Sequence, residues 1–308
     1  MQALASAIPM TTRSPPLSAH RWLSPRDSNL VMLAYQWHYL RREHVAALLG
    51  VELRTAATIV HRLSRNGYLE CLALSVLSRH LVSGPIILGR QGRQLVARQT
   101  GQPRSRIHRP SPRRLSQILF LDHALRINDV RLAFTLCSQH TAGVSVRAWK
   151  EEREIHDRVL NPLGTSPWLP VRPDAYLELQ LDGKVVSFLI EVDLGTTPPR
   201  RFAQKVRGYI AYRMTGRYQA RYGQATFRVL TVTSTARRLA SLKKATERAG
   251  GRRMFWFTTF DQVTPQTVLG PVWLVAQEEG AVALLPASVA AGAQPPGENP
   301  DTPVRSTS

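Results

Sequence analysis

The dipeptide Asp182-Gly183 constrains this chain more than any other pair of residues. It separates two runs of alternating character, 174–181 and 184–193, and Asp-Gly is a strong signal for a two-residue hairpin turn. Such a turn pairs Leu181 with Lys184, and that one pair fixes the register of the whole hairpin. Asp174 then stands opposite Glu191 with both side chains on one face, and Asp193, two residues on, shares it. The other face carries Val186, Phe188, Ile190 and Val192, an apolar layer for helices to cover. Like charges placed opposite one another are destabilising unless something offsets them. A divalent cation such as magnesium would do so, because carboxylate oxygens are hard ligands. A shared proton, or Arg172 and Lys205 as counter-charges, would serve as well.

The surroundings extend the hairpin into an α/β block over residues 115–283. Apolar residues at helical spacing predict one long helix over 115–139, and further helices are expected at 199–214 and 235–249. Strand-like runs lie at 144–149, 226–233 and 254–258. Residues 25–100 form a separate block. Three short helices are predicted there, over 28–40, 42–49 and 53–66, followed by paired strands at 68–72 and 85–88. Only Gly50-Val51-Glu52 separates the second and third helices, the tight turn of a helix-turn-helix, and the strands after it would be a wing. Residues 101–114, rich in proline and arginine with little to bury, read as a linker. Residues 1–24 and 284–308 read as disordered tails.

The third helix has two distinct sides. At 100° per residue, Leu53, Ala56, Ile59, Val60 and Leu63 cluster on one, and Arg54, Thr55, Thr58, His61, Arg62 and Arg65 on the other. Guanidinium forks and hydroxyls without an acid among them suit a helix that reads the major groove of DNA. Net charge agrees: 41 Lys and Arg oppose 21 Asp and Glu, giving +20. Residues 1–110 hold fifteen arginines and four acids, so the excess is concentrated toward the N-terminus. A polyanionic partner fits such a chain, nucleic acid first and an anionic membrane surface second.

Other classes are excluded by what the chain lacks. No run approaches the roughly 20 apolar residues of a membrane span. The opening MQALASAIPMTTRSPP has no basic stretch ahead of an apolar core, so a cytoplasmic protein is expected. Cys71 and Cys137 have no metal-ligand spacing and are expected as buried thiols, while His44 and His61 are expected at the surface or in a groove. Trp149, Trp256 and Trp273 read as core. Arg237, Arg238, Lys243 and Lys244 form a basic helix face, either solvated or a second phosphate contact.

Pro173-Asp174, a hairpin and Glu191 on the following strand together resemble the PD-(D/E)xK nuclease pattern, whose core order is αβββαβ. Asp193 occupies the position that carries lysine in that pattern. In this superfamily the next helix can supply the lysine, and Lys205 in RRFAQKVRGYIAY, on the side shared with Tyr209, is the residue implied. The resemblance implies an α/β fold with an N-terminal winged helix-turn-helix followed by a restriction-endonuclease-like domain. It further implies Asp174 and Glu191 as magnesium ligands, and Asp174, Glu191, Asp193 and Lys205 as the catalytic set, with lysine orienting or activating the attacking water.

More narrowly, the chain resembles the replication-relaxation family. The matching pieces are Ser24-Pro25-Arg26-Asp27, Asp122-His123-Ala124-Leu125, and Trp149 with Glu151 and Glu152. Arg172-Pro173-Asp174, the run from Glu191 to Thr196, and Lys205 to Tyr209 complete the set, in that order over residues 24–260. This resemblance implies a plasmid or mobile-element protein acting in plasmid replication and DNA relaxation. Its implied partners are double-stranded plasmid DNA and replication or mobilisation proteins. Three functions follow as alternatives: a DNA-binding replication and relaxation protein, a magnesium-dependent nickase or endonuclease, and a transcriptional regulator with an inert second domain.

Overall fold

The computed structural model describes residues 23–72, 84–107, 115–151, 154–161 and 167–285. The expected tails apart from residues 23, 24, 284 and 285, residues 73–83 between the expected wing strands, and expected linker residues 108–114 lie outside that description.

The N-terminal block builds α1 (Pro25–Trp37), α2 (Arg42–Leu49), α3 (Leu53–Arg65), β1 (Leu69–Cys71), β2 (Ile86–Leu88) and α4 (Arg90–Thr100). α1 starts three residues earlier than its apolar spacing predicts. Ser24 and Asp27 explain this by capping each other's backbone N–H at 3.1 Å, with Pro25 at the first helical position. Gly50, at φ 60°, ends α2 in the left-handed conformation and makes the tight turn possible. β1 and β2 pair antiparallel, and Leu40 adds an isolated bridge to Ile86. Leu30, Val31, Trp37, Val45, Val60, Leu63 and Leu88 fill the core beneath. Ile107, in the segment expected to have little to bury, joins this core after a single turn of 3-10 helix at Arg104–Arg106.

The α/β block begins with α5 (Leu115–His140) and β3 (Val144–Glu151), then a hairpin of β4 (Asp157–Leu160) and β5 (Trp168–Val171). β6 (Ala175–Leu181), β7 (Lys184–Asp193), α6 (Pro199–Met214), α7 (Arg217–Tyr222), β8 (Arg228–Thr233) and α8 (Ala236–Arg248) follow. β9 (Phe255–Thr259), β10 (Pro271–Val275) and β11 (Ala281–Ala283) complete it. Seven strands form one mixed sheet in the order β11-β10-β9-β8-β7-β6-β3, with β7, β8 and β9 parallel and the other pairs antiparallel. The parallel connections run through α6 and α8, as crossovers between parallel strands require. Phe188, Ile190 and Val192 pack with Val130 and Phe134 of α5, whereas Leu189 lies with Val206 and Tyr209 of α6 on the opposite face.

The β6–β7 turn forms at Asp182 (φ 44°) and Gly183 (φ 83°), and Leu181 pairs with Lys184 as the dipeptide predicts. That register holds to Ala175, opposite Ile190.

α5 also carries the N-terminal block. Asn128, buried, donates its amide to the backbone carbonyls of Trp37 (2.9 Å) and Tyr39 (2.5 Å), and Arg131 stacks 4.4 Å over the Trp37 ring. His44, expected at the surface or in a groove, is buried here: Nε2 meets Asp129 at 2.8 Å and Nδ1 accepts from the backbone N–H of Arg41. Asp129, 85 residues away, is the partner that makes its burial tolerable. Cys137 is buried as expected, but Cys71 is exposed at the end of β1.

Candidate functional site

The sheet ends its most heavily buried hairpin in a charged cluster. β6 stops at Ala175, so the N–H of Val192 on β7 has no strand partner on that side. The Asp174 side chain takes its place, with Oδ2 accepting from Val192 N at 2.7 Å. His123 reaches the same edge from α5, with Nε2 3.0 Å from the Val192 carbonyl and 3.4 Å from Asp174 Oδ2. Glu191 points toward α6, on the face that Leu189 also occupies. Lys205 Nζ donates to its Oε2 at 2.5 Å and the Tyr209 hydroxyl to its Oε1.

Lys205 and Tyr209 lie four residues apart on α6, which puts both on one face of the helix. The structure thus brings Glu191 and Lys205 together, with a lysine counter-charge as the offset, while Asp174 bonds to Val192 and His123 and acts on both through its charge. His123 joins as a member that the sequence places only loosely, on the long helix flanking the acids.

Electrostatics distinguish the members. Burial raises the Asp174 carboxyl, but the His123 hydrogen bond and the Lys205 charge outweigh it and hold the group below its ordinary range. Burial lowers His123, and Asp174 more than reverses that. Burial pushes Glu191 up to about 7, the Lys205 charge opposing the rise and the Asp174 charge adding to it. Lys205 is half-buried; its partial burial lowers it, yet the two carboxylates hold its ammonium well above the usual lysine range. Burial first, and then Glu191, keep the Tyr209 phenol protonated. It is thus a hydrogen-bond donor and no ready nucleophile.

Asp193 shares the face of Glu191 but not its partners. Arg238 of α8 grips it with two bonds, Nε to Oδ2 at 2.7 Å and Nη2 to Oδ1 at 2.9 Å. Thr233 Oγ1 and the Gly195 N–H each add a bond to Oδ2 at 3.1 Å. Both oxygens are thereby engaged, and Arg238 leaves the basic helix face on which it was expected, either solvated or as a second phosphate contact. Among the described residues no group of three or more His, Cys, Asp and Glu side chains is arranged to hold a metal ion. Asp174 and Glu191 remain the pair whose chemistry fits magnesium, which commonly takes one or two carboxylates from a protein. Glu191 can serve only if Lys205 and Tyr209 yield an oxygen.

The second candidate surface is α3. Ala56, Ile59, Val60 and Leu63 are buried, and Arg54, Thr55, Thr58, His61, Arg62 and Arg65 are all exposed. Leu53 departs from the expected apolar stripe: it is half exposed, because the first residue of the helix projects past the core. Arg62 is already engaged, forking onto the buried Asp27 carboxylate at 2.6 and 3.0 Å. That pair ties α3 to the capping box of α1, so Arg62 orients the helix whatever else it touches.

These features define a mixed α/β protein that joins a helical N-terminal module to a seven-stranded sheet carrying a partly buried Asp-Glu-Lys-Tyr cluster. Residues 33–229 match the family described as Replication-relaxation, more than half of the chain, and the protein belongs to that family. Membership points to a role in plasmid replication or relaxation. No curated protein and no solved structure matches the chain. Among the described residues no helix is long and apolar enough to cross a membrane.

Proposed function

We propose that this is a cytoplasmic DNA-binding protein of plasmid replication and relaxation. Its N-terminal block acts as a winged helix and its α/β block as a PD-(D/E)xK-like domain that holds the same DNA. The observation that carries this reading is the outward face of α3: a row of arginine, threonine and histidine with no acid in it, backed by a buried apolar face. Arg54 and Arg65 supply forks for guanine edges or phosphates, Thr55, Thr58 and His61 supply short polar contacts, and Arg62 fixes the helix through Asp27. The element order α5, β3, β6, β7, α6, β8 supports the nuclease-like assignment once the β4–β5 hairpin is set aside as an insertion.

Replacing Arg54 and Arg65 together by alanine is expected to weaken binding to plasmid duplex by about tenfold or more and to flatten its salt dependence. Fluorescence anisotropy across a salt series measures both. Undiminished affinity with an unchanged slope would remove α3 from the interface.

The Lys205–Glu191 pair, with Asp174 close enough for its charge to act on both, favours a second reading, a magnesium-dependent nickase or endonuclease. Asp174 and Glu191 would hold the ion, and bound magnesium would supply charge neutralisation at a phosphodiester. Lys205, already charged, stands where it can orient a water or a phosphate oxygen. Supercoiled plasmid incubated with the protein and magnesium should then become nicked or linear, and Glu191→Ala should abolish this. Plasmid left supercoiled by the unaltered protein would eliminate the second reading and leave the first.

A further inference from the structure

The β4–β5 hairpin stands outside the seven-stranded sheet and has two unlike faces. Val159 and Val171 point inward and are buried against α6, where Gly208 leaves room for the Pro170 carbonyl. Asp157 also faces the helices, accepting from Tyr212 at 3.0 Å and from Arg217 at 3.1 Å, so the hairpin's carboxylate is neutralised from behind. The alternate residues Arg158, Leu160, Trp168, Pro170 and Arg172 are all exposed. Leu160 and Trp168 are direct cross-strand partners, and they are 57% and 43% exposed. The Arg158 guanidinium lies 4.8 Å from the Trp168 ring centroid. A cleft of about 530 Å³ opens beside them, closed on its far side by Gly216 and Arg217.

We infer that this outer face is a binding platform for an unpaired DNA strand, with a base stacked on Trp168 and its phosphates held by Arg158 and Arg172. A wet indole framed by arginines is the combination that single-strand sites use, because every base has a π-face and every nucleotide a phosphate. Bases within a duplex have those faces covered by their neighbours, so the exposed ring selects unpaired strand. A second copy of this chain is a poorer occupant, since it would bring the same arginines and the same net charge of +20 against them. The location also fits, for Arg172 stands two residues before Asp174, and a strand leaving the platform is led toward the carboxylate cluster. Replication and relaxation both expose single strands, so this inference rests on the DNA-binding role proposed above.

The test compares a labelled oligothymidylate with a labelled duplex of equal length, both titrated by anisotropy against the full chain. Trp168→Ala should weaken oligothymidylate binding about tenfold or more, Trp168→Phe should retain most of it, and neither should alter duplex affinity. Arg172→Gln should weaken the same binding and lower its salt slope. Oligothymidylate affinity unchanged in Trp168→Ala overturns the platform. A shift in sedimentation without a loss of affinity does so too, and marks the face as a contact between copies. Failure of the unaltered protein to bind either DNA would sink the DNA-binding role itself, whereas duplex binding without oligothymidylate binding would sink the platform alone.

Discussion

Lys205→Met is expected to destabilise the protein by about 3 kcal/mol or more near pH 8, because it leaves a buried carboxylate without its counter-charge. Glu191 is almost fully enclosed, with only 3% of its side chain accessible, and the Tyr209 hydroxyl alone cannot offset a charge there. The penalty should depend on pH in a defined direction. Glu191 already binds its proton more tightly folded than unfolded, with a value of about 7 against an ordinary 4.5. Removing the lysine removes a cause that lowers it, so the folded value rises further. A carboxyl raised in this way keeps its protonated-state stability below the unfolded pKa and loses it as pH climbs through the folded one. Urea midpoints of Lys205→Met should therefore fall further below those of the parent near pH 8 than near pH 5. Glu191→Gln combined with Lys205→Met should recover most of the loss, because no unpaired charge then remains. A uniform loss at all pH values, unrelieved by the second substitution, would mean that the lysine acts through packing alone.

Much of the fold is legible in short-range signals. Asp182-Gly183 predicts the turn and its register because both residues tolerate positive φ, and nothing distant is needed to decide it. The two-sided pattern of α3 works in the same way, since a helix half sunk in a core must segregate its residues. What stays hidden depends on partners far apart in sequence. Nothing near His44 signals burial, because the Asp129 that permits it is 85 residues away. Arg62 reads as a free DNA-facing residue until Asp27, 35 residues earlier, claims it. The β4–β5 hairpin escapes notice for another reason: its strands are four residues each, one contains Pro170, and alternation over so short a run is weak. The carboxylate cluster is legible in part. The hairpin places Asp174 and Glu191 at one end, but the edge position that turns Asp174 toward Val192 and His123 depends on where β6 stops pairing.

Asp193 offers the sharpest test of what the carboxylates are for. Arg238→Ala is expected to cost about 3 to 5 kcal/mol, since it strands a carboxylate that is only 4% accessible and removes a donor from the Thr197 carbonyl. Arg238→Lys should rescue little, because an ammonium cannot reproduce two parallel bonds to both oxygens. Arg238→Leu with Asp193→Asn should regain much of the stability, as the charge and its partner leave together. Thermal or urea unfolding reads these three results. Asp193→Asn alone then separates structure from chemistry. If Asp193 serves the fold, this variant loses stability but retains duplex binding and any magnesium-dependent nicking in proportion to the folded fraction. If Asp193 serves a metal instead, magnesium should raise the melting temperature of the parent and not of Asp193→Asn, and nicking should vanish in a protein that remains folded. The four bonds already made to its two oxygens favour the first outcome. Under that outcome Asp193 pins α8 and the start of the 194–198 connection to the end of β7. It thereby sets where α6, and with it Lys205, can stand.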